Sequence, residues 1–128
     1  MNFEDYKISG DKLSEDRYKI FVSKFRNVYF TSGENISWKG EKRPSWCEFK
    51  NDISVNHIDG KICEYLPQLT EFYVFFEFER AIYRSSYEEI ISYFENKPPW
   101  IEEDLYIFTD EMNWCLVLTH DNQLMIAQ

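Results

Sequence analysis

Glu71-Phe72-Tyr73-Val74-Phe75-Phe76-Glu77-Phe78-Glu79 decides the fold of this 128-residue chain. In an extended backbone, successive side chains point to opposite faces. Phe72, Val74, Phe76 and Phe78 therefore fall on one side, and Glu71, Tyr73, Phe75, Glu77 and Glu79 on the other. The alternation predicts a strand over 70–79 with one buried face and one polar-aromatic face. The competing reading is that Tyr73 and Phe75 pack beneath a helix and only the glutamates meet water.

C-terminal to this strand, Ser86-Tyr87-Glu88-Glu89 fits the S-x-x-E capping box, in which serine and glutamate satisfy free amides at a helix start. Tyr87, Ile90, Ile91 and Phe94 continue it as an amphipathic helix, and Asn96-Lys97-Pro98-Pro99 stops it. Three short strands follow at Leu105–Phe108, Trp114–Thr119 and Leu124–Ala127, joined by hairpin-length turns. Trp114, Leu116 and Leu118 form one apolar set in the middle strand and Cys115 and Val117 another, which implies burial on both faces and a central place.

N-terminal to it, residues 12–29 carry Leu13, Tyr18, Phe21, Val22, Phe25, Val28 and Tyr29 near helical spacing. Asp11 is the expected N-cap, with Ser14 the alternative one turn later. Residues 31–70 are weakly patterned. Trp38, Trp46 and Phe49 are expected to pin that connection to the core, with a short helix around Trp46–Lys50. Asp59-Gly60 marks a turn, and a hairpin or a short helix around it are both open. The sum is one α+β domain over 1–128: a mainly antiparallel sheet of about four to five strands against two or three helices.

Composition narrows the function. Hydrophobic content of 44% and aromatic content of 19% are those of a folded domain with a substantial core. Nothing near the N-terminus reads as a signal peptide, and no apolar run approaches a membrane span. Cys47, Cys63 and Cys115 are odd in number and widely spaced, which fits reduced thiols in a cytoplasmic protein. A net charge of −9 disfavours nucleic acid and anionic membrane as partners.

No catalytic pattern stands out. His57 and His120 are the only histidines, each beside one aspartate, too sparse for a metal site. Glu88-Glu89 is explained by the helix start, where acids suit the dipole. There is no nucleophile elbow, P-loop or dinucleotide fingerprint, so no cofactor and no enzyme activity is expected. An enzyme would require the two histidines to converge with a carboxylate in one cleft.

Charge, by contrast, is strongly patterned. Residues 1–70 are balanced, whereas 71–111 carry eleven acidic side chains against Arg80, Arg84 and Lys97. Large rings share that segment, and carboxylates mixed with rings suit an anchor for a basic protein. The candidate partner-binding residues are Glu71, Tyr73, Glu77, Glu79, Trp100, Glu102, Glu103, Asp104, Asp110 and Glu111. A second possibility is a small-ligand pocket near Trp114 and His120.

Trp100, Glu102, Glu103, Asp104-Leu105-Tyr106-Ile107-Phe108, Trp114 and Thr119-His120-Asp121 together resemble a motif in the C-terminal halves of a group of small bacterial proteins. More broadly, the small, acidic, motif-free profile is similar to immunity proteins of bacterial toxin systems, such as contact-dependent growth inhibition. That resemblance implies a cytoplasmic protein, monomeric or weakly dimeric, that covers a basic toxin domain, with a nuclease as the leading case.

Overall fold

The computed structural model describes residues 8–31, 38–39, 45–46, 66, 71–96, 104–119 and 124–127. Within them lie seven strands: β1 (Asp11–Lys12), β2 (Ser45–Trp46), β3 (Phe72–Phe76), β4 (Ala81–Ser85), β5 (Leu105–Phe108), β6 (Cys115–Leu118) and β7 (Leu124–Ala127). The described helices are α1 (Glu15–Tyr29) and α2 (Tyr87–Asn96). All strands join one antiparallel sheet in the order β1-β4-β3-β5-β6-β7-β2. This is the expected α+β class, with more strands than the sequence suggested. Two-residue strands close both sides of the sheet, which shortens the edges open to pairing with other chains.

One helix covers each face. Beneath α1, Val22, Phe25 and Tyr29 pack on Tyr73, Phe75, Ile82, Tyr106, Phe108 and Val117. Beneath α2, Ile90, Tyr93 and Phe94 pack on Phe72, Val74, Phe76, Leu105, Ile107 and Leu116. The alternation is thus real over Phe72–Phe76, but both of its faces are buried. Tyr73 and Phe75 lie under a helix, so the second face is not a solvent surface. β6 runs between β5 and β7 with its two apolar sets on opposite faces, as its residues require.

Two expectations are corrected here. The strand stops at Phe76, and Glu77–Arg80 form the tight turn of a hairpin into β4, so Phe78 leaves the buried set. The amide of Arg80 donates to the Phe76 carbonyl at 2.9 Å, and Arg80 adopts φ 57°. The reversal was hidden because Glu-Phe-Glu-Arg holds none of the usual turn residues. At the other end, Asp11 is not the cap of α1. Asp11 and Lys12 pair with Arg84 and Tyr83 of β4, and Ser14 caps the helix by accepting from the Arg17 amide at 3.3 Å.

Of the readings over 31–70, Ser45–Trp46 form a strand against β7 rather than the start of a helix. Trp38 packs on Phe25, Tyr29 and Phe30, as a pinning residue should. Phe49 and the Asp59-Gly60 turn lie outside the described residues. The second helix begins as expected: the Ser86 amide donates to Glu89 Oε1 at 2.9 Å and the Glu89 amide to Ser86 Oγ at 3.2 Å.

Candidate functional site

The sheet distributes the acidic residues over two ends. At one end Glu71 precedes β3, and the β5–β6 turn brings Asp110 and Glu111 to the same side, because Tyr73 of β3 pairs with Phe108 of β5. At the other end, the β3–β4 turn carries Glu77 and Glu79, and Asp104 enters β5 beside them, its carbonyl accepting from the Glu77 amide at 3.2 Å. Five strand residues separate Glu71 from Glu77, and the six steps between them span about 20 Å at roughly 3.3 Å per residue. The candidates therefore form two clusters. Trp100, Glu102 and Glu103 lie outside the described residues, as do His57 and His120.

The Glu71 end is a small ionic network. Glu71 Oε1 accepts from the Tyr73 hydroxyl at 3.1 Å and stands 3.8 Å from Arg84 Nε, while Arg84 donates to Asp11 Oδ2 at 2.9 Å. Burial, then the bond to Glu71, pushes the Tyr73 hydroxyl above its ordinary range. Its hydrogen bond to Asp11, then the charge of Glu71, hold the Arg84 guanidinium more firmly protonated. Tyr73 is only 7% exposed, with its ring tilted on Phe21 at 4.5 Å, so the ring itself belongs to the core. Only its hydroxyl edge reaches the network.

Asp110 and Glu111 are exposed on a turn whose last residue, Met112, is buried at φ 53°. Lys24 donates to the Asp110 carbonyl, which ties this turn to α1. The Tyr29 hydroxyl donates to the Met112 carbonyl at 3.1 Å and fixes the turn from below.

The hairpin end has a different character. Phe78 is 93% exposed between Glu77 and Glu79, although a phenylalanine ring gains about 2–3 kcal/mol when buried. The turn holding it is tied back to the sheet, with the Arg80 amide donating to the Phe76 carbonyl and the Glu77 amide to the Asp104 carbonyl. Beneath it the Tyr106 hydroxyl donates to Glu77 Oε2 at 2.7 Å, which fixes the direction of that carboxylate. Burial first, and Glu77 second, raise Tyr106 far above the ordinary tyrosine range, so it remains a neutral donor. Chemically, this end is an aromatic ring presented between two carboxylates. The alternation of 71–79 had assigned Phe78 to the core, and no turn residue betrayed its true place.

Trp114, half-buried, packs edge-on against Phe72 and joins the core beneath α2. Among the described residues no three of histidine, cysteine, aspartate and glutamate cluster as a metal site would need. Nor is any described helix long and apolar enough to cross a membrane. Buried Cys115 lies deep in the core, where desolvation raises its thiol well above the usual range. No protein-family model, curated protein or solved structure matches the chain.

Proposed function

We propose that the chain is a cytoplasmic immunity or inhibitor protein that neutralises a basic toxin domain, a nuclease being the leading case. The observation that carries this reading is the hairpin tip, where Phe78 stands in water between Glu77 and Glu79. An exposed ring on a pre-ordered turn is suited to enter a partner's apolar pocket, because little entropy is lost on docking. The flanking carboxylates would take the lysines and arginines that a nuclease uses to hold phosphates. Phe78 thus takes over the anchoring role that Tyr73 had in the sequence reading, and Trp100 is a second ring in the same segment.

The net charge of −9 supports fast, steered association with a cation-rich surface. The two acidic ends, about 20 Å apart, fit one footprint, since a standard interface of roughly 800 Å² per partner spans about 30 Å. Glu71, Asp110 and Glu111 toward one edge and Glu77, Phe78, Glu79 and Asp104 toward the other would then both lie within the contact, with Glu102 and Glu103 adjoining in sequence.

The test begins with the open reading frame immediately upstream of this chain's own. Its C-terminal domain is produced with the chain and the pair is analysed for a one-to-one complex. The double variant Glu77→Lys/Glu79→Lys is expected to slow association at least tenfold and to flatten its salt dependence. An unchanged rate would move the contact to residues 31–70 and remove the hairpin tip from the reading.

A further inference from the structure

Phe78 and Ile20 are the two large hydrophobic side chains that stand in water among the described residues, 93% and 67% exposed. A lone exposed apolar group is ordinary. These two share a face. Ile20 sits in a shallow depression on α1 with Lys19, Ser23, Lys24, Asn27 and Val28. Lys19, Ser23 and Asn27 also belong to the α1 wall of a wider groove, and Phe78 stands on its opposite wall, the β3–β4 hairpin. One surface therefore carries a ring on one side and an apolar depression on the other, with the groove between them.

The charges on that surface divide in the same way. From α1 come Lys19, Lys24 and Arg26. The acids of that helix, Glu15 and Asp16, stand in its first turn, before both depressions. Glu15 meets Lys19 at 3.6 Å, an exposed pair of small worth. Lys24 donates to the Asp110 carbonyl, a contact that leaves its charge in place. From the hairpin side come Glu77 and Asp104 with Arg80, and Glu79 follows Phe78. Glu77 accepts from the neutral Tyr106 hydroxyl, which directs the carboxylate without cancelling it. The helix side is thus net positive and the hairpin side net negative.

We infer that this face pairs with the same face of a second copy of the chain about a two-fold axis, the Phe78 ring of each copy entering the Ile20 depression of the other. A two-fold contact needs a patch that is complementary to itself. A half-turn sets ring on depression and negative side on positive side, at both ends of the contact. A basic partner matches the hairpin side alone, whereas a second copy matches both. The inference does not need the inhibitor reading. Where both hold, self-association covers Phe78 and competes with the toxin for it.

Sedimentation equilibrium of the full chain alone, from about 10 µM to 1 mM, tests the assignment. With few apolar anchors and a net charge of −9 on each copy opposing it, the dimer is expected to be weak, with a dissociation constant on the order of 0.1 mM. Phe78→Ser and Ile20→Ser each replace a side chain that stands in water, and each is expected to weaken dimerisation at least tenfold. Glu95→Gln, exposed on α2 against the other face of the sheet, leaves it unchanged. An equimolar mixture of the two serine variants should associate at least threefold more tightly than either alone, because one intact ring-and-depression contact forms again. A chain that stays monomeric to about 1 mM, dimerisation indifferent to either serine variant, or a mixture no tighter than its parts would each overturn the inference. The toxin is absent from this experiment, so none of these results bears on the inhibitor reading, which falls only with its own charge-reversal measurement.

Discussion

Phe76 and Phe78 are two residues apart and obey opposite rules. Phe76 packs against Tyr83 and Tyr93 in the core beneath α2, whereas Phe78 touches water on nearly its whole surface. If Phe78 is a contact residue, Phe78→Ala should change unfolding free energy by less than about 0.5 kcal/mol while weakening the partner complex. Phe25, fully buried among Tyr29, Phe75, Tyr106 and Phe108, is the control, and Phe25→Ala should lower stability by about 3–5 kcal/mol in urea melts. Gly10 holds φ 142°, and an added Cβ would meet the Arg84 carbonyl and Ser85 Oγ at 2.5 Å. Gly10→Ala should therefore destabilise by about 1–3 kcal/mol and loosen β1 from β4, which amide exchange at Lys12 would report.

Tyr106 adds a pH dependence with a definite sign. Its folded-state value is raised by burial and by Glu77, so the folded protein keeps the proton where the unfolded chain loses it. That contribution is complete below the unfolded value of 10.0 and is lost progressively as pH rises above it. Tyr29, raised by burial, acts in the same direction. Denaturation curves should show stability falling from about pH 10 upward, and Tyr106→Phe should make that fall shallower. An unchanged slope in the variant would mean that Tyr106 titrates alike in both states.

At the scale of elements, the chain's punctuation explains what was legible. The Ser86–Glu89 box stated where α2 begins, and Ser86→Ala should lower stability by about 1 kcal/mol in thermal melts. The strands over 105–108 and 124–127 fall where apolar runs and turn residues placed them. The β3–β4 hairpin was not legible for a physical reason. Its turn uses Arg80 at positive φ without glycine or asparagine, and Phe78 extends the period of two past the true strand end. Burial of both sheet faces was one of the two readings that the alternation left open. Phe75 and Tyr73 look like a solvent-facing aromatic set until α1 is laid over them. The candidate site inherited the misplaced strand end: its carboxylates were readable, but the exposed ring among them was not, because exposure is a property of the turn.

At the scale of the whole molecule, charge and shape are set by different parts of the chain. A helix–sheet–helix core consumes nearly every ring of residues 71–108 that the structure describes, leaving Phe78 and the carboxylates outside. Steering by the net charge acts over about 8 Å at physiological ionic strength, so its effect is confined to encounter and is screened by salt. The ring should act afterwards, on dissociation. These two roles separate in kinetics. The deciding measurement is surface-immobilised binding of the upstream-encoded toxin domain to the wild-type chain and to Glu77→Lys/Glu79→Lys, at low and high salt. The account predicts a one-to-one complex whose association slows with salt and slows at least tenfold in the variant. A chain that forms no complex at low salt, or one whose association ignores both the salt and the charge reversal, would contradict it.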